Sequence, residues 1–124
     1  MRYLLYILII AGLLGGMASC EYAVVKPEKV EIPDSVSFTE DIMPVFEDNA
    51  CAGCHKGGTP PDFSKNVYSN LTGASGGTSY IDTENPEESP LYVKLADEGH
   101  QNLDDQSIAL ILEWIKQGAP DNKK

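Results

Sequence analysis

Two thiols one helical turn apart, with an imidazole directly after the second, constrain this chain more than any other feature: Cys51-Ala52-Gly53-Cys54-His55. Few chemistries need that set. A thioredoxin-like dithiol uses the same two cysteines, but in a βαβ context, and no convincing alternating strand pattern occurs here. A structural zinc site needs about four nitrogen or sulfur ligands, which Cys51, Cys54, His55 and His100 could supply. A disulfide between Cys51 and Cys54 would close a very small loop and leave His55 without a role. C-x-x-C-H is also the attachment signature of c-type haem, in which two thiols add to the two vinyl groups of one porphyrin and the next imidazole faces the iron. This last reading uses all three side chains. It predicts one covalent haem c on Cys51 and Cys54, with His55 as the proximal iron ligand.

The remaining cysteine, Cys20, belongs to a different signal. Met1-Arg2 precedes an apolar stretch from Tyr3 to Leu14, followed by Gly15-Gly16-Met17-Ala18-Ser19-Cys20. A basic start, a short apolar core and small residues at the end describe an export signal. The uncharged run approaches the length of a membrane span, but its end is dotted with glycines and small residues. Met17-Ala18-Ser19-Cys20 resembles the bacterial lipobox, which implies lipidation of Cys20 and cleavage just ahead of it. Two or more acyl chains give stable anchoring where one does not. The expected organisation is a signal peptide over 1–19, a lipidated N-terminus and tether over 20–35, and one domain over 36–124. The tether reading rests on two prolines, alternating charges and no sustained periodicity. The product is expected to be an exported, membrane-anchored lipoprotein facing the periplasm or cell surface of a bacterium.

Composition narrows the function classes. A chain of 124 residues is too short for a two-domain enzyme. Its formal net charge is −10, and loss of Arg2 with the leader leaves eight lysines against nineteen carboxylates, or −11. Such a surface repels phosphate backbones, which argues against nucleic-acid binding. A hydrophobic content of 42% argues against general disorder.

Helical signals cover most of the domain. Ser37-Phe38-Thr39-Glu40 matches the capping box, and Ile42, Val45, Phe46 and Ala50 follow at roughly helical spacing, with Pro44 predicting a kink or restart. A second helix is predicted from Ser64 to Leu71, ended by Gly73, before the loop Gly73-Ala74-Ser75-Gly76-Gly77. A third starts near Ser89 with Pro90 at its first position. In the last, Asp104 is the expected N-cap, Leu103 and Ile108 are placed for a hydrophobic staple, and Gly118 and Pro120 end it. Its predicted apolar face is Ile108, Ile111, Leu112 and Ile115, widened by Leu110 and Trp114. The fold class is all-α, three to four helices around one haem, with Trp114 packed between the first and last helices. So small a core commonly needs a staple, which covalent haem would provide.

The order of these parts resembles a class I c-type cytochrome, and most of all the short planctomycete-type domains of bacterial exported proteins. The residues that carry the likeness are Asp41-Ile42-Met43-Pro44-Val45-Phe46, the C-x-x-C-H motif, Pro86-Glu87-Glu88-Ser89-Pro90-Leu91-Tyr92, and Trp114-Ile115-Lys116-Gln117-Gly118-Ala119-Pro120. The resemblance implies first and last helices crossing beside the haem, and electron transfer without chemistry on a substrate. It also implies a distal iron ligand in the loop before the final helix. Where relatives place a methionine, this chain has Ala96-Asp97-Glu98-Gly99-His100-Gln101-Asn102-Leu103, which points to His100. The alternatives are a five-coordinate iron, Met43 or a lysine; in the resembled fold the Met43 segment lies away from the distal face. Relatives bond the proximal histidine's second nitrogen to a proline carbonyl, for which Pro60 and Pro61 are the candidates. Tyr68, Tyr80 and Tyr92 could reach a haem propionate, although packing roles suffice for each.

Imidazole in place of a thioether lowers the reduction potential of a haem, and the acidic balance pushes the same way. The expectation is a low-potential, non-enzymatic electron carrier with two histidine ligands. Its expected partners are redox proteins with a basic docking patch, because complementary charge speeds encounter, and it takes no small-molecule substrate. The competing expectation is a haem-based ligand-binding or sensor module whose sixth ligand is displaceable.

Overall fold

Ser37 opens the first helical segment, but the winding there is wider than an ordinary helix. In the computed structural model, which describes residues 31–122, Ser37 Oγ accepts the Glu40 N–H at 3.2 Å. The reciprocal bond comes from Asp41 rather than Glu40, whose neighbour's Oδ2 accepts the Ser37 N–H at 2.6 Å. A π turn over Phe38–Ile42 causes the one-residue shift and runs into α1, Met43–Asp48. Pro44 has no N–H to give the preceding turn, and a wider turn ahead of it relieves the clash of its ring. At the other end Asn49 Nδ2 donates to the Val45 carbonyl at 2.8 Å. Ala50 then takes a left-handed φ of 51°, and a 3-10 turn follows over Cys51–Gly53.

Helix α2, Val67–Thr72, starts three residues later than its composition suggests. Ser64 is held in the loop instead, its N–H donating to Asp62 Oδ1 at 2.8 Å. Asn70 Nδ2 donates to the Asp62 and Lys65 carbonyls, each at 2.8 Å, and so pins that loop to the helix. Gly73 ends α2 with φ of 72°. A Cβ on it would lie 2.9 Å from the Gly77 carbonyl oxygen, so handedness and close approach both require glycine.

Helix α3, Pro90–Ala96, carries proline in its first turn as predicted. Ser89 does not cap it with its side chain. The residue is 0% exposed, and its Oγ accepts the Asp82 N–H at 2.8 Å while donating to the Asp82 carbonyl at 3.1 Å. A hydroxyl meant for a helix terminus thus fastens the loop from Asp82 to Ser89.

Helix α4, Asp105–Lys116, keeps its predicted ends. Asp104 Oδ1 accepts the Ser107 N–H at 2.7 Å. Gly118 turns left-handed with φ of 88°, and the Ala119 N–H returns to the Trp114 carbonyl at 2.9 Å. The buried apolar residues of the helix are Ile111, Trp114 and Ile115, with Ile108 and Leu110 partly buried against the core. Trp114 is therefore the centre of the face rather than its margin, and Leu112 is a half-buried flank. The reason is Phe38, whose ring centroid lies 5.3 Å from that of Trp114. The indole N–H donates to the Pro120 carbonyl at 3.1 Å, so the ring fills the joint between first and last helices with its polar atom satisfied.

Residues 31–35, read from sequence as the end of the tether, are docked along α4 by amide side chains. Gln106 Nε2 donates to the Glu31 carbonyl at 3.0 Å and Gln117 Nε2 to the Asp34 carbonyl at 3.2 Å, while Ile32 packs on the core. Asn122 completes this side, its carbonyl accepting from Ser37 Oγ at 2.9 Å and its Oδ1 from the Phe38 N–H at 3.1 Å. Among the described residues the fold is all-α, with no strand. No described helix is long and apolar enough to cross a membrane. The leader over 1–19, Cys20 and the tether up to residue 30 lie outside the described residues.

Candidate functional site

The turn after α1 brings the two thiols and the imidazole to one place. Ala50 swings the chain out of the helix, and the His55 N–H closes a helical turn onto the Cys51 carbonyl at 2.9 Å. The chain then loops through Gly57–Asp62 and returns, the Phe63 N–H donating to the His55 carbonyl at 2.9 Å. Asp62 holds this loop by accepting N–H bonds from Ser64 and Gly57. The Ser64 hydroxyl and N–H, ahead of the Gly57 N–H, keep its carboxyl below the usual range. Phe63 stands edge-on to His55 with centroids 5.6 Å apart and leans against Phe46 at 4.7 Å.

Facing this wall is α3 with the turn that follows it. Cys51, Cys54, His55 and His100 all line one cleft of about 480 Å³, walled chiefly by Phe46, Phe63, Leu91, Leu95 and Leu103. That volume lies within the roughly 300–1,000 Å³ of small-molecule pockets, and an apolar lining with a few convergent polar groups is their usual character. His100 opens a 3-10 turn, His100–Asn102, flanked by left-handed backbone at Gly99 (62°), Gln101 (70°) and Asn102 (49°). Gln101 Nε2 reaches across to the Asn49 carbonyl at 2.8 Å. The His55 and His100 rings end 5.9 Å apart, centroid to centroid, with planes at 85°.

The spacing of the His55 and His100 rings is close to that of two imidazoles on one ion. Imidazole nitrogens bind metals at roughly 2.0–2.1 Å, so two rings on opposite sides of one ion have centres about 6 Å apart. His55 Nδ1 is buried and has no hydrogen-bond partner. Both thiols are free, Cys51 half-buried and Cys54 exposed. Burial pushes the Cys51 thiol up, partly opposed by a hydrogen bond from its own backbone. Among the described residues no three His, Cys, Asp or Glu side chains converge to hold an ion by themselves.

The other candidates fall into place around the cleft. Met43 lines a separate depression with Phe38, Val67 and Tyr68, not the cleft of the histidines. Lys94 does line the cleft and pairs with Glu98 one turn on. Pro60 and Pro61 also line it, but with His55 Nδ1 unpartnered the expected carbonyl contact is not made. Tyr68 donates its hydroxyl to the Ala119 carbonyl at 3.0 Å, a packing role. Tyr80 borders the cleft, and Tyr92 is partly buried against the core. Phe63 and Gln101 had no sequence signal as site residues: one is an isolated aromatic in a loop, the other an amide beside the histidine. No family model matches this chain, and comparison with curated proteins and with solved structures returns no match.

Proposed function

We propose that this protein is a single-haem c-type cytochrome that carries electrons, with the class I architecture and anchored in the membrane of an exporting bacterium by lipid on Cys20. One observation carries the reading. Two histidines from distant parts of the chain, His55 and His100, meet at 5.9 Å across an apolar cleft that both C-x-x-C thiols also line. Cys51 and Cys54 would hold the porphyrin through two thioethers, and His55 and His100 would take its iron. Bound there, haem supplies a one-electron ferric–ferrous couple.

The chain's own residues define the rest. Phe46, Phe63, Leu91 and Leu95 give the cleft apolar walls, which would lower the dielectric around a group bound there. Two imidazoles and the net charge of −11 left after loss of the leader would favour the ferric state, hence a low potential. Were His55 and His100 both to hold the iron, no open position would be left for a substrate, so the role we propose is carriage rather than catalysis. His100 and Cys54 are both exposed, and the acidic balance suits a redox partner with a basic docking patch.

The alternative, a ligand-binding or sensor module, draws on the same His100 turn: it is exposed and left-handed at several positions, so it could release a sixth ligand. Fast stoichiometric binding of carbon monoxide to the ferrous protein would select that reading, and slow or negligible binding selects the carrier. The test of the proposal is the intact mass and the oxidised and reduced spectra of protein matured in a host that attaches haem c. One covalent haem per chain that cycles reversibly is the expected result. A colourless product with two titratable thiols in Cys51 and Cys54 contradicts it.

A further inference from the structure

We infer that Gln101 is a positioning residue for His100: its amide clasps the His100 turn to the end of α1 and so sets how firmly that imidazole is held over the cleft. The inference rests on the haem reading above. Among the hydrogen bonds of the described residues, the only one leading out of the turn 99–102 is Gln101 Nε2 to the Asn49 carbonyl, at 2.8 Å. The other bond of the turn, Asn102 N–H to the Gly99 carbonyl at 3.4 Å, is internal to it.

The acceptor is a fixed post. Asn49 is secured to the Val45 carbonyl by its own side chain at 2.8 Å and by its N–H at 3.3 Å. It stands two residues before Cys51, so the clasp links the His100 turn to the turn that bears both thiols and His55. Gln101 holds this position at φ of 70°, a left-handed conformation that costs a non-glycine residue free energy and persists where surroundings enforce it. Leu103, buried just beyond, anchors one end of the turn. Without the clasp, no hydrogen bond among the described residues would lead out of the turn that bears the exposed His100.

The test compares ligand entry in holoprotein variants. An exogenous ligand reaches the iron only while His100 is away, so the rates of cyanide binding to ferric protein and carbon monoxide binding to ferrous protein report how often it leaves. Q101E keeps the size of the side chain but has no donor for a carbonyl. It is expected to speed both reactions roughly twofold to tenfold, the factor that one hydrogen bond is worth. Q101K restores a donor and is expected to return most of the way to the wild-type rate. Q101G relieves the backbone but lacks the amide, and is expected to behave like Q101E. Wild-type rates in Q101E, or equal acceleration in Q101E and Q101K, overturn the clasp. So does a wild-type rate in Q101G, which would make backbone strain the controlling factor. Pigmented wild type with unchanged Q101E rates sinks the clasp alone, whereas wild type without covalent haem sinks the cytochrome reading and the clasp with it.

Discussion

The side of the molecule built on α4 and the side that holds the cleft solve opposite problems. Along α4, Trp114 is 0% exposed, the indole N–H is bonded, and Gln106, Gln117 and Asn122 satisfy the main chain of the N-terminal segment. Ile111, Trp114 and Ile115 belong there to one core cluster with Val36, Phe38 and Ile42. Across the molecule, the cleft keeps apolar walls around an open volume, leaves His55 Nδ1 without a partner, and secures His100 by one amide bond from a turn of left-handed residues. One side is finished as protein. The other is left open where the proposed haem would sit, so changes at the histidines should bear on function more than on the packing along α4.

The largest expected effect lies on the closed side. Trp114→Ala removes the hub between the first and last helices and should cost about 3–5 kcal/mol in urea unfolding, a large share of a total stability of roughly 5–15 kcal/mol. The second falls on the open side. His100→Met should raise the midpoint potential on the order of 0.1 V, inside the roughly 0.8 V range that axial ligands cover, while thermal stability moves little. If that substitution instead unfolded the protein, the separation of the two sides would fail.

Ser89 sharpens the boundary, because it braces the loop that enters α3, the outer wall of the cleft. Ser89→Ala leaves the half-buried Asp82 N–H and carbonyl without their partner and should cost about 1–2 kcal/mol by chemical denaturation. The smallest effect is pH-dependent. The Ser107 N–H, then its hydroxyl, hold the Asp104 carboxyl below its ordinary value. Its contribution is therefore complete above the unfolded pKa near 4 and fades as pH falls through the lower folded value. Asp104→Ala should cost about 1 kcal/mol at pH 7, with the difference from wild type shrinking below pH 4. A constant difference across that range would show that the carboxylate charge contributes nothing.

The two sides also differ in how far they could be read beforehand. Local signals held: Ser37 and Asp104 cap, Gly73 and Gly118 terminate, and Pro90 begins α3, because each acts within a few residues of itself. The C-x-x-C-H turn and His100 were likewise visible as residue types, and the fold brings them to one cleft. What stayed hidden are bonds between a side chain and a distant main chain. The amides of Gln106, Gln117, Asn122 and Gln101 leave no periodicity, since their partners are set by tertiary packing. Asp41 displaced Glu40 in the capping box for a related reason, as Pro44 forced a π turn that advanced the register by one residue. Trp114 moved from margin to centre because Phe38, on another element, supplied the surface it covers.

The most direct measurement is the ferric spectrum, in absorption and electron paramagnetic resonance, of mature wild-type protein beside His100→Ala. The account predicts a low-spin iron with two imidazole ligands in the wild type, replaced in the variant by a high-spin, ligand-accessible iron on an unchanged fold. The same low-spin spectrum in both proteins would contradict it, since His55 and His100 would then meet across the cleft for some purpose other than holding one iron between them.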